Sequence, residues 1–345
     1  MPANVSLKHV AARACVSFQT ASKVLNGKGT VSATTRERIL AAAADLGYVP
    51  NRVARSLVSR TTGMIGVIAT DFSDTTLAQH VVGIEREARR RRQAVLIGSL
   101  DHVGSDAESY LTVLLQHRVE GIILVAPVVE DDQHLGELLR RSHVAVVSLH
   151  PIGGGGVSLV LADDPATGRL PARHLLELGH RHIGLITGDP ARRVTRVRTR
   201  AFLQALEEAG VAWDDHRVEA GHWDVDSGHV AMHRLLDGAP ELSAVVVQND
   251  MMAVGALSAL HERGRRVPDD CAVVGCDNLP ISSRTVPPLT TVEIPFYEVG
   301  EAAVGLLDEL LTDPATPPRQ VVLPVGMVYR RSSDPSHADQ PGGVG

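Results

Sequence analysis

Four polar residues between positions 19 and 26 are spaced so that they share one face of a helix. They follow the i, i+3, i+4, i+7 rule and are Gln19, Ser22, Lys23 and Asn26. A glutamine amide can pair with N6 and N7 of adenine, and a lysine ammonium can donate to O6 and N7 of guanine. The neighbouring Phe18 adds apolar surface for a thymine methyl. This face therefore has the chemistry to read base edges in a DNA major groove. The simpler alternative is the solvated side of any amphipathic helix.

The residues around this face predict two short helices joined by a tight turn. An apolar stripe lies before the turn and consists of Leu7, Val10, Ala11 and Ala14. Ser6 and Ser17 are placed to cap the first and the second helix. A third helix is expected from Ser32 to about Leu46, ended by Gly47. Two short helices with a tight turn indicate a helix-turn-helix.

The charge of the chain is divided unevenly. Residues 1–60 contain nine Lys and Arg side chains against two acidic ones, a local net charge of +7, although the whole chain carries −6. A basic segment on an acidic chain is the electrostatic footprint of a phosphate-binding module. The sequence therefore predicts that the first segment binds nucleic acid.

Three runs of residues resemble one family closely. They are Val16 to Asn26, Val31 to Arg36 and Gly47 to Leu57. In these runs the chain resembles the lactose-repressor (LacI) family of bacterial transcription regulators, and the resemblance continues to about Arg331. It implies a set of DNA-binding residues, which comprises Ser17, Phe18, Gln19, Thr20, Ser22, Lys23, Asn26, Lys28, Asn51, Arg52, Ala54 and Leu57.

The resemblance also implies a role for the segment Asn51 to Leu57. In the family the matching segment is a hinge helix, which pairs with its dimer mate in the minor groove and inserts a leucine between base steps. Leu57 occupies that position. Such a wedge costs unstacking energy and gains a kinked duplex that contacts more protein. The alternative is that Leu57 is a linker residue packed on the larger domain.

Length and composition indicate more than one domain. The chain has 345 residues, which is long for a single core. We expect a helix-turn-helix domain at 1–50, a hinge helix and linker at 51–62, a bilobed effector-binding and dimerisation domain at 63–331, and a disordered tail at 332–345. The tail has no apolar heptad of the kind that tetramerises some relatives, which favours a homodimer.

Other features of the composition exclude several classes of protein. No apolar run is long enough to cross a membrane and no signal peptide is recognisable, so we expect a cytoplasmic protein that does not bind membranes. The three cysteines have neither metal-binding nor disulfide spacing. We therefore expect no metal and no cofactor.

From Gly63 onward, short apolar runs alternate with amphipathic stretches, which is typical of βαβ units around parallel sheets. The expected strands are Met64 to Ala69, Ala94 to Ile97, Gly121 to Val125, Val144 to Ser148, Ile183 to Ile186, Ala244 to Val247, Ala272 to Gly275, Val321 to Leu323 and Met327 to Arg330. The expected helices are Gln79 to Arg92, Asp106 to His117, Pro165 to Leu178, Thr199 to Ala209, Val225 to Leu236, Met251 to Arg263 and Phe296 to Leu311. The fold class is α/β, with an N-terminal all-α helix-turn-helix domain. The family resemblance implies a bilobed, periplasmic-binding-protein-like effector domain of two doubly wound parallel sheets, with three crossings between the lobes.

Polar residues follow several of the predicted strands. Arg198 comes after the strand ending near Thr187, Asn249 after the strand ending at Val247, and Asp277 after the strand ending at Gly275. Ligands of doubly wound sheets bind beyond the carboxyl ends of strands. A guanidinium, an amide and a carboxylate in one crevice suit a polyhydroxyl ligand. The alternatives are that Asn249 only caps the next helix and that Arg198 lies on a solvated, arginine-rich face.

The resemblance implies a set of effector-binding residues. They are Asp71, His150, Arg198, Trp223, Asn249, Asp277 and Phe296, with Trp223 and Phe296 as apolar walls. His150 departs from the family pattern, since many sugar-binding relatives carry Asp at that strand end. A neutral imidazole offers one donor and one acceptor in place of two acceptor oxygens.

The segment before Arg198 is basic. Arg192, Arg193 and Arg196 would favour a phosphorylated or acidic effector if they line the entrance to the crevice. Screening by Asp189 and by solvent is the other interpretation.

Catalytic motifs are absent from the sequence. There is no GxSxG, GxxxxGK[ST] or HExxH pattern. His229 and His233 are spaced i, i+4 on a predicted helix, but no third metal ligand is evident and a solvated face is the favoured interpretation. The sequence thus predicts a non-enzymatic, homodimeric repressor that binds palindromic double-stranded operator DNA under the control of a small molecule, most simply a carbohydrate. The alternatives are a purine- or nucleoside-responsive corepressor-type regulator and a solute-binding protein without a DNA role; the basic first segment argues against the latter.

Replacement of Leu57 by Ala tests the wedge. Seven residues are too few for a stable isolated helix, so we expect the hinge to fold on the operator. Leu57→Ala should reduce DNA bending and specific affinity, measured by gel-shift phasing and by binding titration, and should leave effector binding intact. A variant that bends DNA like the wild type would rule out the wedge.

Overall fold

The computed structural model describes residues 5–26, 30–49, 61–70, 75–100, 107–130 and 132–336. The predicted hinge at 51–57, together with Lys28 and Asp71, lies outside these residues. The chain divides into two compact units, Met1–Gly63 and Met64–Gly345. None of the described helices is both long and apolar enough to span a bilayer.

The first unit contains three described helices, and the residue before each is a serine that the sequence analysis placed at the start of a helix. They are α1 (Leu7–Arg13), α2 (Phe18–Leu25) and α3 (Ala33–Asp45). The Ser17 hydroxyl accepts from the Thr20 N–H at 3.1 Å, and Ser32 caps α3 in the same way. These bonds satisfy amide donors that the first turn of a helix leaves without partners.

The core of the first unit is small and made of short side chains. Its buried members are Val10, Ala11, Ala14, Ala21, Val24, Ile39, Ala42 and Ala43. Gly47, at a φ of +60°, terminates the turn after α3, as a residue without a Cβ does readily. With the apolar faces of all three helices turned to one another, the polar face of α2 is left at the surface.

The second unit is built on two six-stranded sheets. The first contains β1 (Met64–Ala69), β2 (Ala94–Ser99), β3 (Gly121–Val125), β4 (Ala145–Ser148), β5 (Ser158–Ala162) and β11 (Gln320–Leu323). The second contains β6 (Ile183–Thr187), β7 (Val218–Ala220), β8 (Ala244–Val247), β9 (Ala272–Asp277), β10 (Thr290–Glu293) and β12 (Gly326–Val328). Their orders are β11-β5-β4-β3-β1-β2 and β12-β10-β9-β8-β6-β7. All pairings are parallel except that of β10 with β12, and both orders have the doubly wound pattern predicted from the sequence.

Helices cover both faces of each sheet. They are α4 (Thr75–Arg90), α5 (Ala107–Gln116), α6 (Gln133–Arg141), α7 (Asp164–Glu177), α8 (Arg193–Glu208), α9 (Val225–Gly238), α10 (Asp250–Glu262) and α11 (Phe296–Thr312). The cores on the two faces of the first sheet are filled from α4 and α11 and from α5 and α6. Those of the second sheet are filled from α9 and α10 and from α7 and α8.

The chain crosses between the two lobes three times, as the family resemblance implies. The crossings lie between β5 and α7, between β10 and α11, and between β11 and β12. Each lobe is therefore assembled from separate parts of the sequence.

Several elements differ from the sequence-based prediction. The helix expected from Thr199 begins at Arg193, because its buried face includes Thr195 and Arg198, whose polarity hides the helical period. The strands β5, β7 and β10 and the helix α6 were not predicted. β7 has only three residues, none of them buried, so it gives no hydrophobic signal.

The first residues of the tail predicted to be disordered, from residue 332, are ordered in the structure. Ser332 and Ser333 are buried, and the Ser332 hydroxyl donates to the Val273 carbonyl at 2.6 Å. The prediction was wrong here because serine carries no hydrophobic signal, although the Ser332 hydroxyl bonds backbone groups of both β9 and β10.

Helices α9 and α10 approach each other closely at two glycines. A Cβ on Gly228 would lie 2.2 Å from the Met252 carbonyl oxygen, and one on Gly255 would lie 2.0 Å from that of Val225. Only glycine allows this contact, because the opposing atoms belong to backbone that cannot rotate away.

Gly255→Ala should force the two helices apart. Overpacking of a fitted contact commonly destabilises by about 1 to 3 kcal/mol, and a backbone neighbour places this site at the upper end. The matched control is Gly305→Ala in α11, where the nearest atom to the new Cβ is the tip of Arg91 at 3.8 Å. This control should leave stability unchanged or raise it by up to about 1 kcal/mol. If Gly255→Ala and Gly305→Ala unfold at the same urea concentration, the close backbone contact at Gly255 is contradicted.

Candidate functional site

The first candidate site is the outer face of α2. Phe18, Gln19, Lys23 and Asn26 are exposed, and Ser22 is half-buried. The Asn26 amide donates to the Ser22 hydroxyl at 3.3 Å, so these two side chains support each other on the surface. The structure therefore places the predicted polar stripe on one accessible face, with Phe18 at its start.

Ser17 and Thr20 stand at the beginning of this helix. Their hydroxyl oxygens lie 2.8 Å apart, and Ser17 also caps the helix. The exposed amino end of α2 carries the positive end of the helix dipole, which favours phosphate. The DNA contacts of all the predicted residues stay predictions, and Lys28, Asn51, Arg52, Ala54 and Leu57 also lie outside the described parts of the chain.

The second candidate site is a cavity of about 530 Å³ in the second unit. Its lining residues lie at or beyond the carboxyl ends of β1, β3, β4 and β5 in one lobe and of β6 to β10 in the other. This is the crevice in which doubly wound sheets bind ligands. A wider and more open depression of about 760 Å³ runs along α8, and it lies on one lobe, away from most strand ends.

Six of the seven predicted effector residues line the cavity between the lobes. They are His150, Arg198, Trp223, Asn249, Asp277 and Phe296. The seventh, Asp71, lies outside the described residues. The sequence thus identified side chains that the fold brings together from both lobes, and their contacts with a ligand stay a prediction.

Arg198 is buried in the floor of this cavity and lies in α8. Its Nη1 donates to the Gln248 carbonyl at 3.1 Å, and its Nη2 donates to Asp164 Oδ1 at 3.2 Å. Among the described residues, nothing accepts from its Nε. The interpretation of Arg198 as part of a solvated face is therefore wrong, because its guanidinium is buried and the residue lines the cavity.

The charge of Arg198 is secured by its neighbours. Burial by itself lowers the pKa of Arg198, but Cys276, Asp164 and Asp277 raise it above the usual arginine value. Burial also raises the pKa of the Cys276 thiol, which is therefore neutral. The two carboxylates consequently supply the stabilisation. Asp164 was not predicted, because its partner Arg198 lies 34 positions away in the sequence.

Asp277 has an unusual backbone conformation. It is buried, and its φ is +118°. A non-glycine residue in this region costs of order 1 to 3 kcal/mol and is retained where the surroundings enforce it. Trp223, also on the cavity wall, has a φ of +71°. Two strained residues at one cavity point to a site whose geometry is functional.

Asn249 performs the structural role that the sequence offered as its alternative. Its Oδ1 accepts from the Met252 N–H at 2.8 Å and so caps α10. Its Nδ2 donates to the Trp223 carbonyl at 2.9 Å. Both ends of the amide therefore have partners, and an effector would share them.

Two aromatic surfaces face the cavity from opposite lobes. The Trp223 ring packs on Gly188, where a Cβ would lie within 1.9 Å of the indole. Phe296 is buried and meets the edge of His80, with ring centroids 5.1 Å apart and planes at 84°. Aromatic faces of this kind stack on the apolar face of a sugar or on a base.

The first lobe contributes two histidines to the lining. Burial, followed by the nearby His150, lowers the pKa of His80 to about 3, so its imidazole is neutral. His150 Nδ1 lies 3.5 Å from Glu130 Oε1, and its Nε2 has no hydrogen-bond partner among the described residues. His80 and Glu130 were not identified from the sequence, because a lone histidine in a helix and an acid in a loop carry no motif.

The basic residues before Arg198 separate in the fold. Arg192 lines the cavity, whereas Arg196 donates to the Pro190 carbonyl at 3.2 Å and lines the depression along α8. The cavity entrance is therefore less basic than the sequence suggested.

Comparison with known families matches both units. The profile described as "Bacterial regulatory proteins, lacI family" matches residues 6–51, and that of a periplasmic binding protein-like domain matches residues 172–333.

Individual relatives match almost the whole chain. The HTH-type transcriptional regulator CelR of Thermobifida fusca is 35% identical over 335 residues, which cover 95% of this chain and 98% of the relative. A solved complex of the regulator CelR with cellobiose is 32% identical, with a TM-score of 0.72, and covers 95% of this chain and 99% of that one. The lac repressor dimer bound to operator and the anti-inducer ONPF is 31% identical, with a TM-score of 0.83 and the same coverage.

Substitutions on α2 test base reading. Lys23→Ala or Gln19→Ala should weaken binding to the cognate DNA by about 1 to 3 kcal/mol and relax base preference at one position, because a direct base contact is lost. The matched control is Lys8→Ala, which removes an exposed cation of α1 outside this face. Fluorescence anisotropy with cognate and random duplexes measures the affinity of each variant and of the control. Equal losses on the two duplexes would contradict direct readout and indicate phosphate contacts.

Proposed function

Because this chain belongs to the lacI family of bacterial DNA-binding transcriptional regulators, which are not enzymes, we propose that it represses carbohydrate-uptake or catabolism genes under the control of a sugar or sugar derivative. The observation that carries this proposal is the composition of the cavity between the lobes. A buried Arg198 and a strained Asp277 line the same cavity as the aromatic side chains of Trp223 and Phe296.

These groups suit a polyhydroxyl ligand. The guanidinium of Arg198 can donate to a hydroxyl oxygen, and the carboxylate of Asp277 can accept from a hydroxyl hydrogen. Trp223 and Phe296 cover the C–H faces of a ring. The cavity volume, about 530 Å³, is in the range of small-molecule sites.

The lobe that carries His150 sets a further requirement on the effector. The Thr70 hydroxyl and His150 Nε2 are buried atoms without hydrogen-bond partners among the described residues, and both residues line the cavity. Buried polar atoms without partners destabilise unless a ligand or water bonds them. The effector therefore presents polar groups to both lobes.

Two relatives support the proposal of a sugar-controlled, DNA-binding dimer. The solved CelR complex contains cellobiose, and the lac repressor structure is a dimer on operator DNA. For this chain we propose a homodimer in the cytoplasm that binds a palindromic operator, since two copies of α2 reading two half-sites require a two-fold axis.

Regulation follows from differential binding to two states. A ligand that contacts both lobes favours one relative arrangement of them, and operator affinity changes by the difference in ligand affinity between the DNA-competent state and the other. An inducer lowers operator affinity and a corepressor raises it.

Arg198→Ala and Asp277→Ala test the cavity. Loss of a charge-assisted hydrogen bond in a desolvated site commonly costs about 1.5 to 3 kcal/mol, so effector affinity should fall roughly 10-fold or more. Thermal-shift screening of mono- and disaccharides and nucleobases identifies the effector, and calorimetry measures its affinity. If it is an inducer, the variants should stay on the operator in its presence; if it is a corepressor, they should fail to bind operator with it.

Arg196→Ala is the matched control, because this side chain is exposed and lies outside the cavity lining. It should bind effector like the wild type. Unchanged affinity in both cavity variants would place the effector elsewhere, and a nucleobase as the tightest ligand would overturn the carbohydrate assignment.

A further inference from the structure

Helices α9 and α10 form a closely fixed pair. Near their amino ends, the hydrogen bond from Asn249 to the Trp223 carbonyl joins the segment before α9 to the cap of α10. One turn further, Gly228 and Gly255 bring the backbones into contact. Side chains that project from this pair toward each other are therefore held at set distances.

Three such side chains meet beyond the glycine contact. His229 and His233 are one turn apart on α9, and Glu262 is the last residue of α10. Glu262 Oε2 lies 3.1 Å from His229 Nε2 and 3.2 Å from His233 Nε2. One ligand atom from each residue lies within 4.8 Å of the others, and the two histidine side chains are only 32% and 25% exposed. The sequence left the two histidines without a third ligand, and the fold supplies it.

We infer that His229, His233 and Glu262 bind a divalent transition-metal ion, with zinc as the ion whose preferences fit best. Zinc takes imidazole nitrogen and carboxylate oxygen at about 2.0 to 2.2 Å, which places ligand atoms roughly 3.3 to 3.5 Å apart in a tetrahedron. The two distances to Glu262 Oε2, 3.1 and 3.2 Å, are close to this spacing. Three protein ligands leave a fourth position for water.

Arg263 opposes the ion. Its Nε donates to His233 Nδ1 at 2.9 Å, and its Nη2 lies 2.8 Å from Asp237 Oδ1. This bond keeps the His233 proton on Nε2, where it faces Glu262. An ion on Nε2 requires that proton to be on Nδ1 instead, so Arg263 must turn away while keeping its partner Asp237.

Without an ion the same three residues form a polar cluster. In it, Glu262 Oε2 lies within hydrogen-bond distance of both imidazoles, 3.1 Å from His229 Nε2 and 3.2 Å from His233 Nε2. Removal of Arg263 distinguishes a metal site from a cluster that is only hydrogen-bonded. At a metal site it removes a repelling positive charge and should strengthen zinc binding, whereas in a hydrogen-bonded cluster it removes only a neighbouring side chain.

The test uses the tag-free, full-length protein after chelator treatment and desalting. Zinc uptake is measured by competition with a chromophoric chelator, and cobalt(II) absorption reports the coordination geometry. We expect one saturable zinc site per chain. His229→Ala, His233→Ala and Glu262→Gln should each weaken zinc binding at least 10-fold, and Arg263→Ala should strengthen it.

The matched control is His182→Ala. His182 is an exposed imidazole that lies 4.0 Å from Glu241 and 3.2 Å from an Arg217 nitrogen, without a second histidine in the pair. It should bind zinc like the wild type. Thermal unfolding should shift upward with zinc in the wild type and not in the His229→Ala/His233→Ala double variant. Zinc affinity that is equal in the wild type and the double variant would overturn the site. Zinc binding by Arg263→Ala that is no tighter than that of the wild type would also overturn it.

Discussion

The burial of Arg198 is the constraint on which the ligand-binding unit depends. A guanidinium removed from water is tolerated only when its charge and most of its N–H groups have partners. Asp164, at the start of α7, follows the first crossing between the lobes, and the Gln248 carbonyl follows β8. Arg198 therefore binds the crossing to the carboxyl edge of the second sheet. Because Arg198 also lines the cavity, the same positive charge that fixes the crossing belongs to the candidate ligand site.

Much of this architecture could be predicted from the sequence, and the failures have physical causes. Buried parallel strands such as β1, β3 and β8 are continuous apolar runs, and their bounds agree with the prediction. The start of α8 was missed because its buried face contains Arg198, and β7 because none of its residues is buried. His80, Asp164 and Glu262 were missed for another reason: each acquires its meaning from a partner more than 25 positions away in the sequence. Pattern reasoning detects periodicity within an element, whereas these contacts exist only after the elements pack.

Asn249 shows why structural and functional interpretations of a residue need not exclude each other. Its amide caps α10 and holds the Trp223 carbonyl, and the residue still lines the cavity. The next residue, Asp250, is fully buried and accepts hydrogen bonds from Ser282 at 2.5 Å and from Thr291 at 2.6 Å. Burial raises the pKa of Asp250 to about 6, although these hydrogen bonds oppose the shift. The cavity wall is thus held by a polar network behind it, which keeps strained residues such as Asp277 in place.

The pair of α9 and α10 connects this wall with the surface cluster of His229, His233 and Glu262. Trp223 directly precedes the residue that caps α9, Asn249 caps α10, and the glycine contact prevents the helices from closing further. Tightly packed backbones transmit displacement as rigid bodies because neither can absorb it locally. An ion held by His229, His233 and Glu262 and an effector in contact with Trp223 would therefore act on the same pair of helices. If the two ligands prefer different arrangements of these helices, each must change the affinity of the other by the same factor, since coupling between binding equilibria is reciprocal.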